Sequence, residues 1–350
     1  MFIEIKYTMK IPLALSLLTL FSLVITGQQV KTTGLKLPYL GQKPPGITPE
    51  LFAPEIIATG FNERDITISP DGREIFYGIL TSRHITIMHT RQIDGSWSEP
   101  AVAGFASDNR FFYLEPCFSH DGKTVYFLST MPPPGKEPKP RWAYQNIWAS
   151  DKLPDGSWGE IYNPDTVLNR FNSQFYPSLT RSGTIYFTRS DEKTGKSVIL
   201  RARKSGNGYG EPEHLPGAVN GSGNIFNAFI APDENFLIAC VENKSNTVNP
   251  GFVNYYIFFR DENDNWSEGI SFGPEINING SNAISASLSP DGMYLFFAAQ
   301  KTSEEMKKLS EEKTLGSMIR FLASPQNGNY DIYWVSSAVI ERLHPEKQPE

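Results

Sequence analysis

One stretch recurs five times along the chain, and that recurrence constrains the fold more than any other feature. It reads DITISPDGREIFYG over 65–78, EPCFSHDGKTVYFLS from Glu115, YPSLTRSGTIYFTR from Tyr176, NAFIAPDENFLIAC from Asn227 and SASLSPDGMYLFFAA from Ser285. Each copy is a short strand, a tight turn and a second strand rich in aromatic and β-branched residues. Subtracting the positions of the turn residues Asp71, Asp121, Ser182, Asp233 and Asp291 gives spacings of 50, 61, 51 and 58. Self-similarity at that period predicts an all-β propeller of four-stranded blades, five by the anchor count, with a diverged sixth as the alternative.

Gly72, Gly122, Gly183 and Gly292 supply the positive φ of these turns, and Glu234 in the fourth copy points to a different turn there. A third strand and an aromatic-marked turn follow, as in DGSW at Asp94, DGSW at Asp155 and DNWS at Asp264. Trp97, Trp158 and Trp266 are read as outer-strand packing residues. The adjacent Asp94 and Gly95 do not fit the spaced Asp-box of sialidases. A strand over 51–57 precedes the first copy and is expected to complete the last blade, joining the termini in one sheet and removing an open edge.

The 28 glycines and 26 prolines suit many short strands, and the net charge of −6 comes from interspersed signs. No basic stripe for nucleic acid and no polybasic membrane patch is present. Residues 11–26 form an uncharged apolar run after Lys6 and Lys10, which predicts a signal peptide over 1–27, with Met9 as an alternative start. Residues 28–46 read as a flexible tether and 47–350 as a single propeller domain. Cys117 and Cys240 are expected as free core thiols.

The strand–SPDG–strand units resemble the PD40, or WD40-like, repeats of TolB-type propellers from Phe52 to about Leu343. That resemblance implies a periplasmic or secreted bacterial protein, and it covers scaffolds, peptidase propellers and carbohydrate-active proteins alike. TolB carries a further N-terminal domain, in whose place only residues 28–46 stand here.

Six residues before each turn anchor stand Asp65, Glu115, Tyr176, Asn227 and Ser285, where the inner strand enters near the central axis. With Glu63, Arg64, Arg110, Tyr113, Arg170 and Gln174, and with Asn172 nearby, they are the expected ligand-binding set. Amides and acids bind hydroxyls, aromatic faces cover sugar rings, and Arg pairs bidentately with a uronate or sulfate. Asp65 and Glu115, or Tyr176 beside Arg64, are the candidates for a hydrolase or lyase reaction. Against these readings stands the ordinary one, that polar side chains line water-filled propeller channels. The expected function is a binding module for an oligosaccharide, with a carbohydrate-active enzyme and a TolB-like scaffold for a cell-envelope protein as alternatives. A monomer is expected, with no cofactor, no nucleic acid and no membrane span after signal cleavage. The histidines show no metal-ligand spacing, so no metal site is expected. Insertions at 131–142 and 301–326 should rise on the face opposite the Asp-Gly turns as rim or lid elements, the second with a helix over 303–315 capped by Ser303 and carrying a Glu304–Lys308 pair.

Overall fold

In the computed structural model the described residues are 31–345 except 172, 192, 243, 245 and 246. The expected signal peptide and Asn172 lie outside them. Residues from Thr32 onward form one compact unit, a five-bladed propeller. Its inner strands are Asn62–Ile68, Tyr113–Phe118, Gln174–Leu179, Asn224–Ile230 and Ala286–Leu288. Each pairs antiparallel with the strand after its turn, and a third strand follows in the same sense.

Closure falls at Glu50–Leu51, which pairs with Trp334 and Tyr333 of the last blade. The chain then turns away, with Ala53 at φ +44°, so this strand is shorter than the 51–57 expected. The packing between blades is aromatic and aliphatic. Phe52, Phe296 and Trp334 fill the seam between blades 5 and 1, and Phe76, Phe105, Phe118 and Trp158 the seam between blades 1 and 2. Trp97 is fully buried and donates from Nε1 to the Leu37 carbonyl at 2.9 Å.

Three sequence expectations need correction. The tether is docked over its described part: Thr33 and Leu35 hydrogen-bond the Trp97 main chain, Leu40 is buried, and Ser336 donates to the Gly46 carbonyl. Its Lys, Gly and Pro content suggested a free chain, but ladder bonds along the blade 1 edge hold it. Glu234 does not mark a new turn type. It takes φ +61° where the other repeats have glycine, and the Tyr186 hydroxyl donates to its carboxylate at 3.0 Å. The 301–326 insertion holds two helices, α1 (Glu304–Glu311) and α2 (Leu315–Ala323). Ser303 caps α1 as expected, but the ion pair runs from Lys307 to Glu304 at 2.6 Å.

Candidate functional site

The polar column does converge on the axis, through a backbone device that periodicity alone does not reveal. Asp65, Glu115, Tyr176 and Asn227 have φ of +57°, +56°, +54° and +50°, and each sits where the pairing of inner and second strands slips by a residue. They are β-bulges with a left-handed residue, which bend the strand and re-aim one side chain and one N–H. For Glu and Tyr that conformation is costly and persists only where the surroundings enforce it.

Those surroundings are a ring of side chain to main chain bonds between blades. Ser285 Oγ accepts from Asp65 N at 3.0 Å, Glu115 Oε2 from Tyr176 N at 2.7 Å, and Thr188 Oγ1 from Asn227 N at 2.9 Å. Asn227 Nδ2 donates to the Ile284 carbonyl at 2.6 Å, and the Tyr176 hydroxyl reaches the main chain of Ala286. The buried Arg64 donates from Nε to Asp65 at 2.6 Å and from Nη2 to Glu115 at 3.3 Å. Burial raises the pKa of both acids, and in each case Arg64 works against the rise.

This ring stands between two spaces. On the turn side lies a cavity of about 60 Å³ lined by Asp65, Glu115, Tyr176 and the strand residues beyond them. On the loop side opens a cleft of about 550 Å³ with Arg64, Glu115 and Asn227 at its floor. Its walls carry the aromatic rings of Trp142, Phe175 and Phe226 and the polar groups of Gln145, Asn224 and Glu242. Asn224 is held in place by Ser197 N at 2.7 Å and by Glu242 at 2.9 Å.

The expected site residues therefore divide. Arg64 and Asn227 face the cleft, Asp65 and Tyr176 face the smaller cavity, and Glu115 lines both. Arg110 and Arg170 do not join either space: they are exposed and bound to Asp108 at 2.6 Å and to Glu211 at 2.7 Å. Tyr113 is buried in the apolar seam of blades 1 and 2, and Gln174 is fully buried, with neither amide atom hydrogen-bonded. Glu63 is buried too, taking a hydrogen bond from the Thr59 hydroxyl. Gln145 and Glu242, which the sequence reading passed over, stand at loop-side strand ends facing the axis. Trp142 arrives on the proline-rich insertion, where only a general rim role was expected.

Chemically, the cleft offers flat apolar faces beside amide and carboxylate groups. Its floor cation is already neutralised by two acids. Those acids share one guanidinium; burial raises Glu115, which reaches the cleft, whereas Asp65 does not line it. Among the described residues no group of three or more metal-ligating side chains occurs, and no helix is long and apolar enough to cross a membrane.

No family model and no curated protein matches the chain. Among solved structures it is similar to TolB from Acinetobacter baumannii, at 14% identity and a TM-score of 0.45, with 79% of this chain and 57% of that chain covered. A family 117 glycoside hydrolase from the marine bacterium Zobellia galactanivorans matches at 11% identity and 0.45, covering 83% and 90%. A GH43 endo-arabinanase from Bacillus licheniformis matches at 11% and 0.45, covering 79% and 94%. The chain spans little more than half the length of the TolB chain it matches.

Proposed function

We propose that the protein is a secreted or periplasmic binding module that takes a neutral oligosaccharide into the loop-side cleft. The observation that carries this is the lining: three aromatic rings stand around one opening with Gln145, Asn224 and Asn227. Sugar rings present apolar faces edged with hydroxyls, and such a wall meets both. Neutral glycans fit better than acidic ones. Arg64, Arg110 and Arg170 are each paired with a carboxylate, and Glu242 would repel a uronate.

A binding role is favoured over hydrolysis or elimination because Asp65, Glu115 and the Tyr176 hydroxyl are engaged in the axial ring. The test is calorimetric titration with neutral and uronate-bearing oligosaccharides, followed by product analysis. Saturable binding of a neutral glycan without turnover, weakened about tenfold or more by Trp142→Ala, is expected. Product release would replace this reading with an enzyme. Absence of glycan binding together with a cell-envelope protein captured through the same face would replace it with a scaffold.

A further inference from the structure

Helix α2 presents its apolar side to water. At about 100° per residue, Leu315, Met318, Ile319 and Leu322 fall within an arc of roughly 100°, and they are 74%, 58%, 58% and 63% exposed. The opposite side holds the buried Ser317 and the half-buried Phe321. A helix on a soluble domain ordinarily turns such a stripe inward. Here the orientation is built in. Thr314 and Ser317 form a reciprocal cap at 3.0 Å each way, and Asn327 Nδ2 ties the Phe321 carbonyl at 3.2 Å and the Gly60 carbonyl at 3.0 Å.

The stripe is part of a wider pattern on the loop side. Phe61 enters blade 1, Trp142 belongs to blade 2, Phe171 enters blade 3 and Phe252 belongs to blade 4, and all four are exposed. An array distributed over all five blades, α2 included, suits a flat apolar layer better than a peptide, which would need one continuous groove. Charge points the same way. The loops between second and third strands (81–84, 130–145, 191–196, 243–253 and 303–326) contain eleven Lys or Arg and seven Asp or Glu. The connections into the inner strands (54–61, 103–112, 163–173, 215–223 and 273–285) contain two and four. These segments together sum to +2 on a chain of net charge −6; beside the stripe, Arg320 is ion-paired with Glu312 at 3.1 Å, which leaves Lys313 as the cation next to it.

We propose that the loop-side face docks on an anionic lipid bilayer, with α2 lying in the headgroup region and its Leu, Met and Ile side chains entering the acyl boundary. Helix α2 does not line the cleft, but the cleft opens on this same face and Trp142 belongs to both readings, so docking would turn the cleft toward the lipid headgroups.

The experiment places an environment-sensitive fluorophore on the full chain at Met318→Cys. A second chain carries it at Met293→Cys, an exposed position beside the Asp291 turn on the opposite face, and wild type controls for labelling of Cys117. Vesicles of phosphatidylcholine with and without phosphatidylglycerol are added. The expected result is a saturable blue shift at position 318 on the anionic vesicles, about tenfold weaker on neutral vesicles or in 1 M salt, with position 293 unmoved. No shift at 318 would overturn the proposal, as would equal shifts at both positions. Emission at 318 that is already blue without vesicles and reddens on dilution would assign the stripe to a second copy of the chain instead.

Discussion

The hydroxyl of Tyr176 in blade 3 donates to the carbonyl of Ala286 in blade 5 and accepts from its N–H, both at 3.1 Å. One phenol thus completes the pairing of an inner strand two blades away, where Ala286–Leu288 is only three residues long. Replacing Tyr176 by Phe leaves a buried donor and a buried acceptor without partners. A loss of about 1–3 kcal/mol is expected, read as a lower urea midpoint at unchanged slope. Glycan affinity should be unaffected, because Tyr176 lies on the far side of the ring from the cleft. Lost binding with an unchanged midpoint would return Tyr176 to the ligand site.

A second prediction concerns two carboxylates in the closure seam. Glu63 of blade 1 and Asp331 of blade 5 are both buried, and each keeps one oxygen without a hydrogen bond. Burial lifts Glu63 to about 7 and Asp331 to about 8, and Glu63 adds to the rise of Asp331. Arg64, adjacent in sequence, is turned to Asp65 and Glu115 and does not pair with them. The unfolded chain releases both protons near pH 4 and the folded chain only near pH 7–8. Stability therefore falls as pH rises through that window and levels off above it. Glu63→Gln removes one ionisation, so it should raise the melting temperature at pH 8.5, by an amount corresponding to about 2–4 kcal/mol, and change little at pH 4. A melting profile parallel to wild type across this range would reject the assignment.

How much of this was legible in the sequence varies by element. The blades were, because a strand–turn–strand repeat states its own period and the turn glycines mark its corners. The convergence of Asp65, Glu115, Tyr176 and Asn227 was legible for the same reason. Their role was not: a left-handed bulge depends on inter-blade acceptors such as Ser285 and Thr188, which lie 220 and 39 residues away from the groups they bind. Arg110 and Arg170 looked like site residues because they precede the inner strands, yet Asp108 and Glu211 hold them outward. Helix α2 was missed since its stripe carries no core signal; the apolar residues that normally announce a packed helix face solvent.

The opposite pH dependence is expected at the seam of blades 1 and 2. Burial by itself would raise Glu74, but hydrogen bonds from His89 and Lys152, together with their charges, hold it down at about 2. Trp158 Nε1 adds a donor at 3.1 Å. A lowered carboxylate stabilises the fold above the unfolded value of about 4.5, and that contribution disappears as pH falls toward 2. Lys152→Met should cost about 1–3 kcal/mol at neutral pH and move the acid unfolding limb to higher pH, measured by thermal melts between pH 2 and 6. An acid limb unmoved by the substitution would show that the Lys152 bond contributes nothing to the lowered value.

Among the described glycines, Gly60 has the least room for a side chain. A Cβ built on Gly60 would stand 1.8 Å from the Leu322 carbonyl oxygen and 2.6 Å from its carbon, both main-chain atoms at the end of α2. Flexible side chains yield to such crowding, but this backbone is pinned by Asn327 and Asn329, which both donate to the Gly60 carbonyl, at 3.0 and 2.9 Å. Gly60→Ala must therefore displace α2 or break those bonds. Each of the two lost hydrogen bonds is worth about 1 kcal/mol, too little to unfold a closed propeller but enough to loosen one appended helix. Hydrogen exchange should accelerate across 315–323 and remain at wild-type rates in the inner strands. Uniform acceleration through all five blades would mean that the insertion stabilises ring closure itself, and protection unchanged at α2 would mean that the helix is not anchored through Gly60.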